Sequence, residues 1–169
     1  KAFFSSPGTL GTYTYTRVNA TEAELGKYAG NTFGALKVTF ANILADFCAL
    51  LEEESRANDR EISVNYNNVR MVVAHDHRIK AAWLDVMHGL YRGFGGYCFP
   101  KDVSALIARG KELLNAVPAH HPQRRQYEKG IRLLEAMWDY NTELLASQHL
   151  TMEDVSVHDK EWIERKLET

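Results

Sequence analysis

The sequence has only two cysteines, Cys48 and Cys98, and no CxxC pair. That argues against a disulfide scaffold and against a structural cysteine-type zinc site. It favours a reducing, cytoplasmic setting. Neither sign of charge dominates, with 20 Lys and Arg against 22 Asp and Glu. A nucleic-acid-binding domain, which needs a basic field or stripe, is disfavoured. No run approaches the roughly 18 apolar residues of a membrane span. The opening KAFFSSPGTLGTYTYTRV lacks the apolar core of a secretory signal. Neither GxGxxG nor GxxxxGK(S/T) occurs, so no nucleotide cradle is visible. What remains is 169 residues, 25% charged and 45% hydrophobic. This is the ordinary mix of a soluble globular domain, long enough to bury one core.

The chain reads as mainly α. Residues 1–11, with Pro7, Gly8 and Gly11, read as a loop, and Thr12 to Val18 carries the one good strand pattern. A lone strand cannot satisfy its own backbone groups, so its partners are expected outside this chain. Thr21 and Glu24 form a capping-box pair, which predicts a long helix from Thr21 to about Arg56. Leu25, Tyr28, Ala29, Phe33, Leu36, Phe40, Ile43, Leu44, Phe47 and Leu51 recur along it at helical spacing. At about 1.5 Å per residue it would span roughly 50 Å. Its apolar residues wrap well around the axis, so something buries it on several sides, and a subunit interface is the natural candidate. Shorter helices are expected over Tyr66–Ala74, from Pro100 to before Pro118, from Pro122 to about Leu145, and from about Ser156 to Ile163. Residues 75–97 are expected to be irregular. Phe47 and Trp138 read as core, and Cys48 as an inert packed thiol.

Two stretches could carry chemistry. Gly93-Phe94-Gly95-Gly96-Tyr97-Cys98-Phe99-Pro100-Lys101-Asp102 is a glycine-rich loop running into a helix start. A helix N-terminus offers free N–H groups and partial positive charge. A cysteine placed there, beside Lys101, has its thiolate favoured and can act as a nucleophile. The glycines allow close approach of backbone to a ligand. The plain alternative is a buried structural cysteine by a glycine-rich turn. In the second stretch, Lys27 and Asn31 lie at i,i+4 on one helix face, where they can hold a polar substrate or a water. A snorkelling lysine and a surface asparagine are the alternative. His75-Asp76-His77 reads as ordinary loop polarity, because adjacent residues diverge and no third metal ligand is placed.

Lys27-Tyr28-x-x-Asn31, then Lys37-Val38-Thr39-Phe40-Ala41-Asn42, then the GFGGYCFPKD segment resemble the central domain of the nucleotide-sugar dehydrogenases, the UDP-glucose/GDP-mannose dehydrogenase family. The resemblance covers roughly residues 12–117 well and the C-terminal third only loosely. It implies a helical dimerisation domain over 21–169, like the C-terminal domain of 6-phosphogluconate dehydrogenase. Residues 1–20 would end a preceding nucleotide-binding domain or linker, with the 12–18 strand left from its Rossmann fold. It also implies oxidation of a sugar-nucleotide C6 hydroxyl to a carboxylate with two NAD(P) molecules, by default UDP-glucose to UDP-glucuronate. Cys98 would attack the aldehyde to give a thiohemiacetal, then a thioester that water hydrolyses. Lys27 would stabilise the oxyanion, and Asn31 would bond the same oxygen or a water. Asp102 would help activate water or orient Lys27. Tyr91, Arg92, Gly93, Phe94 and Gly95 would line the sugar site, Lys101 would lie near the NAD cofactor, and Arg78 would reach into the neighbouring subunit's sugar site. A homodimer through helix 21–56 follows, with NAD held mainly by a domain absent from this chain.

Three positions depart from the family pattern. Tyr97 stands where a small residue commonly precedes the cysteine, Ile43 where a glutamate is usual, and Lys80 where a glycine often follows the Arg-Ile pair. They bear on substrate identity, since none removes the nucleophile or its lysine. The competing function is a non-catalytic helical dimerisation module. Cys98, Lys27, Asn31 and Asp102 together count against it, because dimerisation alone does not demand those residue types.

Overall fold

The computed structural model describes residues 17–60, 62–87, 89–156 and 160–168. The loop expected over 1–11 and residues 12–16 of the expected strand lie outside them. Among the described residues no strand forms, and Arg17 and Val18 simply precede the first helix. That helix, α1, runs Ala20–Ala57. Its cap is Asn19, not Thr21: the Asn19 side chain accepts from the Glu22 N–H at 2.9 Å, and Glu22 accepts from the Asn19 N–H at 2.8 Å. Both pairs have capping-box spacing, but asparagine caps better than threonine, and the start moves out accordingly.

At its far end Ser55 binds the Arg60 carbonyl at 2.6 Å and accepts from the Ile62 N–H. Glu52 accepts from the Val64 N–H at 2.9 Å, so the chain folds back along the helix into α2, Tyr66–His75. An irregular stretch to Tyr97 follows, as the sequence predicts. Next come α3, Cys98–Ala116, and α4, Arg124–Ala146. Pro100 falls in the first turn of α3, where a missing N–H costs nothing. Two short helices, α5 (Met152–Ser156) and α6 (Lys160–Leu167), close the chain.

The core lies where α1, α3 and α4 meet, around Ala35, Val38, Phe94, Phe99, Val103, Ile107 and Met137, with Trp138 packed against it. A second cluster joins Tyr91 to Leu145, Leu150, Val155 and Ile163. The buried face of α1 is small or polar: Thr32, Gly34, Ala35, Val38, Thr39, Ala41, Asn42 and Cys48. Its large apolar residues point out. Phe33, Phe40 and Phe47 are 59%, 51% and 57% exposed, so Phe47 is not core within one chain. The periodicity marks a face correctly without saying what covers it. By length and composition α1 could also cross a membrane, yet its inner face packs on α3 and α4 and buries Thr39 and Asn42.

Candidate active site

Lys27 and Asn31 stand one turn apart on α1, and Cys98 and Asp102 one turn apart on α3. A hydrogen bond of 2.5 Å from Asn31 Nδ2 to Asp102 Oδ2 joins the two faces. Asp102 is fully buried, whereas Cys98, at the first residue of α3, is exposed. The second Asp102 oxygen pairs with Lys101 Nζ. Lys101 therefore directs its charge at Asp102, with its ammonium 5.8 Å from the Tyr28 ring centre and 5.9 Å from that of Tyr97. Burial pushes the Asp102 carboxyl up. The bonds from Lys101 and Asn31, with the charges of Lys101 and Lys27, more than offset it and hold Asp102 below the usual carboxylate value. The bond to Asp102 in turn raises Lys101 above the ordinary lysine value. Lys27 acts on Asp102 through its charge.

The glycine-rich loop is buried at Gly93, Phe94 and Gly95. Gly93 and Gly96 have φ of +101° and +73°, a region that disfavours side chains. Gly95 has no room for a Cβ, which would lie 2.8 Å from Val155 Cβ and meet the Tyr91 hydroxyl. Burial pushes the Tyr91 phenol up to about 12, against a smaller pull from the Gly96 amide. Arg92 is tied inward: its guanidinium donates to Asn42 Oδ1 at 3.0 Å and to Asp46 at 2.6 Å. Tyr140 donates to the other Asp46 oxygen at 2.5 Å. Arg78 is exposed and pairs with Asp76 at 2.6 Å. It joins Phe33, Leu36, Phe40, Ile79 and Leu84 around an open apolar groove, not the Asn31–Asp102 cluster.

The sequence reading missed the residues that fasten the loop. Asn141 on α4 accepts from the Phe94 N–H at 2.7 Å and donates to the Phe94 carbonyl at 3.0 Å. Gln148 does the same for Arg92, at 2.8 and 3.0 Å. The Val155 carbonyl accepts from the Gly96 N–H at 2.7 Å. One signal was available: Asn141 stands in register between the apolar Met137 and Leu145, four residues from each.

Fold and site define a helical domain whose polar cluster lies where two helices face each other, beside a tightly fastened glycine loop. The chain belongs to the UDP-glucose/GDP-mannose dehydrogenase family, whose central-domain model matches residues 21–121. A protein of Pseudomonas aeruginosa named UDP-glucose 6-dehydrogenase is 34% identical over 131 residues, 72% of this chain and 25% of that protein. One of the same name from Rhizobium meliloti is 36% identical over 90 residues, 53% of this chain and 17% of the relative. UDP-glucose 6-dehydrogenase AglM of Haloferax volcanii is 36% identical over 95 residues, 56% of this chain and 19% of the relative. The chain thus matches a quarter or less of the length of these relatives. No solved structure matches it.

Proposed function

We propose that this chain is the helical dimerisation domain, over 21–169, of a cytoplasmic NAD-dependent nucleotide-sugar 6-dehydrogenase of the UDP-glucose to UDP-glucuronate type. Its fold would be of the 6-phosphogluconate-dehydrogenase C-terminal kind, and residues 1–20 would end a preceding nucleotide-binding domain or linker. The observation that carries the reading is Cys98 at the head of α3, one turn before the Asp102 that binds Asn31 and Lys101.

The described residues contain no glycine-rich strand-turn-helix. They fit a dinucleotide only at the margin, through exposed Lys101, so most of its binding falls to another domain. NAD, when bound, would accept one hydride in each of the two oxidations. Cys98 Sγ adds to the C6 carbonyl carbon of the aldehyde, and the carbonyl oxygen takes a proton to give a thiohemiacetal. Loss of a hydride from C6 and a proton from the hydroxyl leaves a thioester. Water attacks its carbonyl, the C–S bond breaks, and the acid and the free thiol result. Lys27 supplies positive charge for the developing oxyanion. Asn31 has one N–H on Asp102 and a second for the substrate oxygen or a water. Asp102, held ionised, fixes Asn31 and Lys101. Tyr91, Arg92, Gly93, Phe94 and Gly95 would place the loop beside the sugar, with the Phe94 ring itself turned into the core.

A homodimer through residues 21–56 is supported by the exposed Phe33, Phe40 and Phe47. Arg78 beside that face would serve the neighbouring subunit's sugar site. In the full-length protein, assayed with UDP-glucose and NAD⁺, Cys98→Ser should abolish acid formation. Lys27→Ala should lower turnover by roughly 10²–10³-fold, as for loss of one oxyanion partner. Native acid formation by Cys98→Ser would overturn the reading and favour a non-catalytic helical dimerisation module.

A further inference from the structure

We infer that Asn141 and Gln148, with the Val155 carbonyl, position the Cys98 thiol by bonding alternate backbone groups of the loop ahead of it; this rests on Cys98 being the nucleophile. The backbone groups of Arg92, Phe94 and Gly96 are bonded to the same side at every second residue, as in a strand, although Gly93 and Gly96 have positive φ. One side is taken by chain, with the Gly93 N–H on the Val86 carbonyl at 3.3 Å and a bridge between Met87 and Arg92. On the other side no strand is present among the described residues. Instead the Gln148 amide takes both groups of Arg92, the Asn141 amide both groups of Phe94, and Val155 the Gly96 N–H. A primary amide is the side chain that carries donor and acceptor in one plane, as a peptide does.

Asn141 is fully buried, and a Cβ on Gly93 would lie 2.6 Å from its Oδ1. The glycine therefore gives the amide its seat, and the two sites are shaped to each other. Cys98 follows Gly96 by two residues and opens α3. A loop freed from the amides shifts the thiol relative to Asn31 and Asp102, and small displacements of a reacting group are costly.

The test uses the full-length protein with UDP-glucose and NAD⁺, with semicarbazide trapping any released aldehyde. The ratio of aldehyde to acid does not depend on the fraction of folded enzyme. Gln148→Leu and Asn141→Asp should raise it about tenfold, and amide exchange over 91–97 should quicken by about tenfold while α1 is unchanged. Gln148 is only half-buried, so its variant tests the idea even if the Asn141 variant folds poorly. Ile131→Val, which loosens the contact of α4 with Gly110 of α3, should change neither readout. A native ratio in both amide variants overturns the positioning role, and unchanged exchange overturns the fastening itself. Cys98→Ser separates the two readings. If it releases aldehyde while both amide variants keep the native ratio, only the positioning role falls. If it forms acid at the native rate, the nucleophile falls, and this inference with it.

Discussion

The two faces of α1 are opposites in an unexpected way. The inner face presents Gly34, Ala35, Ala41, two threonines and Asn42; the outer face presents Phe33, Phe40 and Phe47. A greasier outer face means that hydrophobicity alone does not choose which side of a helix turns to its own core. Close approach does. At Gly34 a Cβ would meet the tip of the Phe99 ring at 2.7 Å and Trp83 at 3.3 Å, and those two rings pack edge-on at 5.9 Å. The inner face is narrow so that large residues from α3 and the 76–97 stretch can lie on it.

This contrast can be broken at four places. The largest effect is expected for Gly34→Val, which overpacks the seat of Phe99 and should cost about 3 kcal/mol in denaturant unfolding. Gly26, on the same helix with nothing within 4 Å, is the control, where alanine should gain about 0.5–1 kcal/mol. Asn42→Ala comes next. It removes donors to the Val38 and Val86 carbonyls at 3.0 and 3.3 Å and the acceptor for Arg92 Nε. With buried groups left unpaired, it should cost about 2 kcal/mol.

Third is pH. Asp102 titrates below its ordinary 3.8. Its contribution to stability is therefore full above that value and is lost as pH falls through the lower folded value. The midpoint of urea unfolding, followed downward from pH 5, should fall less steeply in Asp102→Asn than in the native protein. An equal slope would show that this carboxylate adds nothing. Smallest for one folded chain is Phe40→Asp on the outer face, within about 0.5 kcal/mol for an exposed site. If the proposed dimer forms, that variant should nevertheless sediment as a monomer at concentrations where the native protein is dimeric. An unchanged mass would remove the outer face from the proposed interface.

Much of this was legible beforehand. The long helix, the helix start beside Cys98 and the shared face of Lys27 and Asn31 follow from spacing, because i,i+4 relations are local; Asp102 gained its role only through the family resemblance. What spacing could not give was the partner of each face. Lys101 reads as a neighbour of Cys98 in the sequence, but its charge goes to Asp102. Arg92 reads as a sugar ligand, yet its guanidinium is held by Asn42 and Asp46. The capping pair shifted by two residues because two equivalent spacings overlap and only cap preference separates them. Asn141 and Gln148 stayed hidden because a polar residue on a helix says nothing about which backbone, some 50 positions away, it will bind.

That last separation bears on inheritance. The family match ends at residue 121, but the bonds on Arg92, Phe94 and Gly96 come from residues 141, 148 and 155. The well-matched and the loosely matched parts of the chain cannot drift independently. A chimera joining residues 21–121 of one relative to the continuation of another would carry the loop without its fastening, unless the two amides travelled with it.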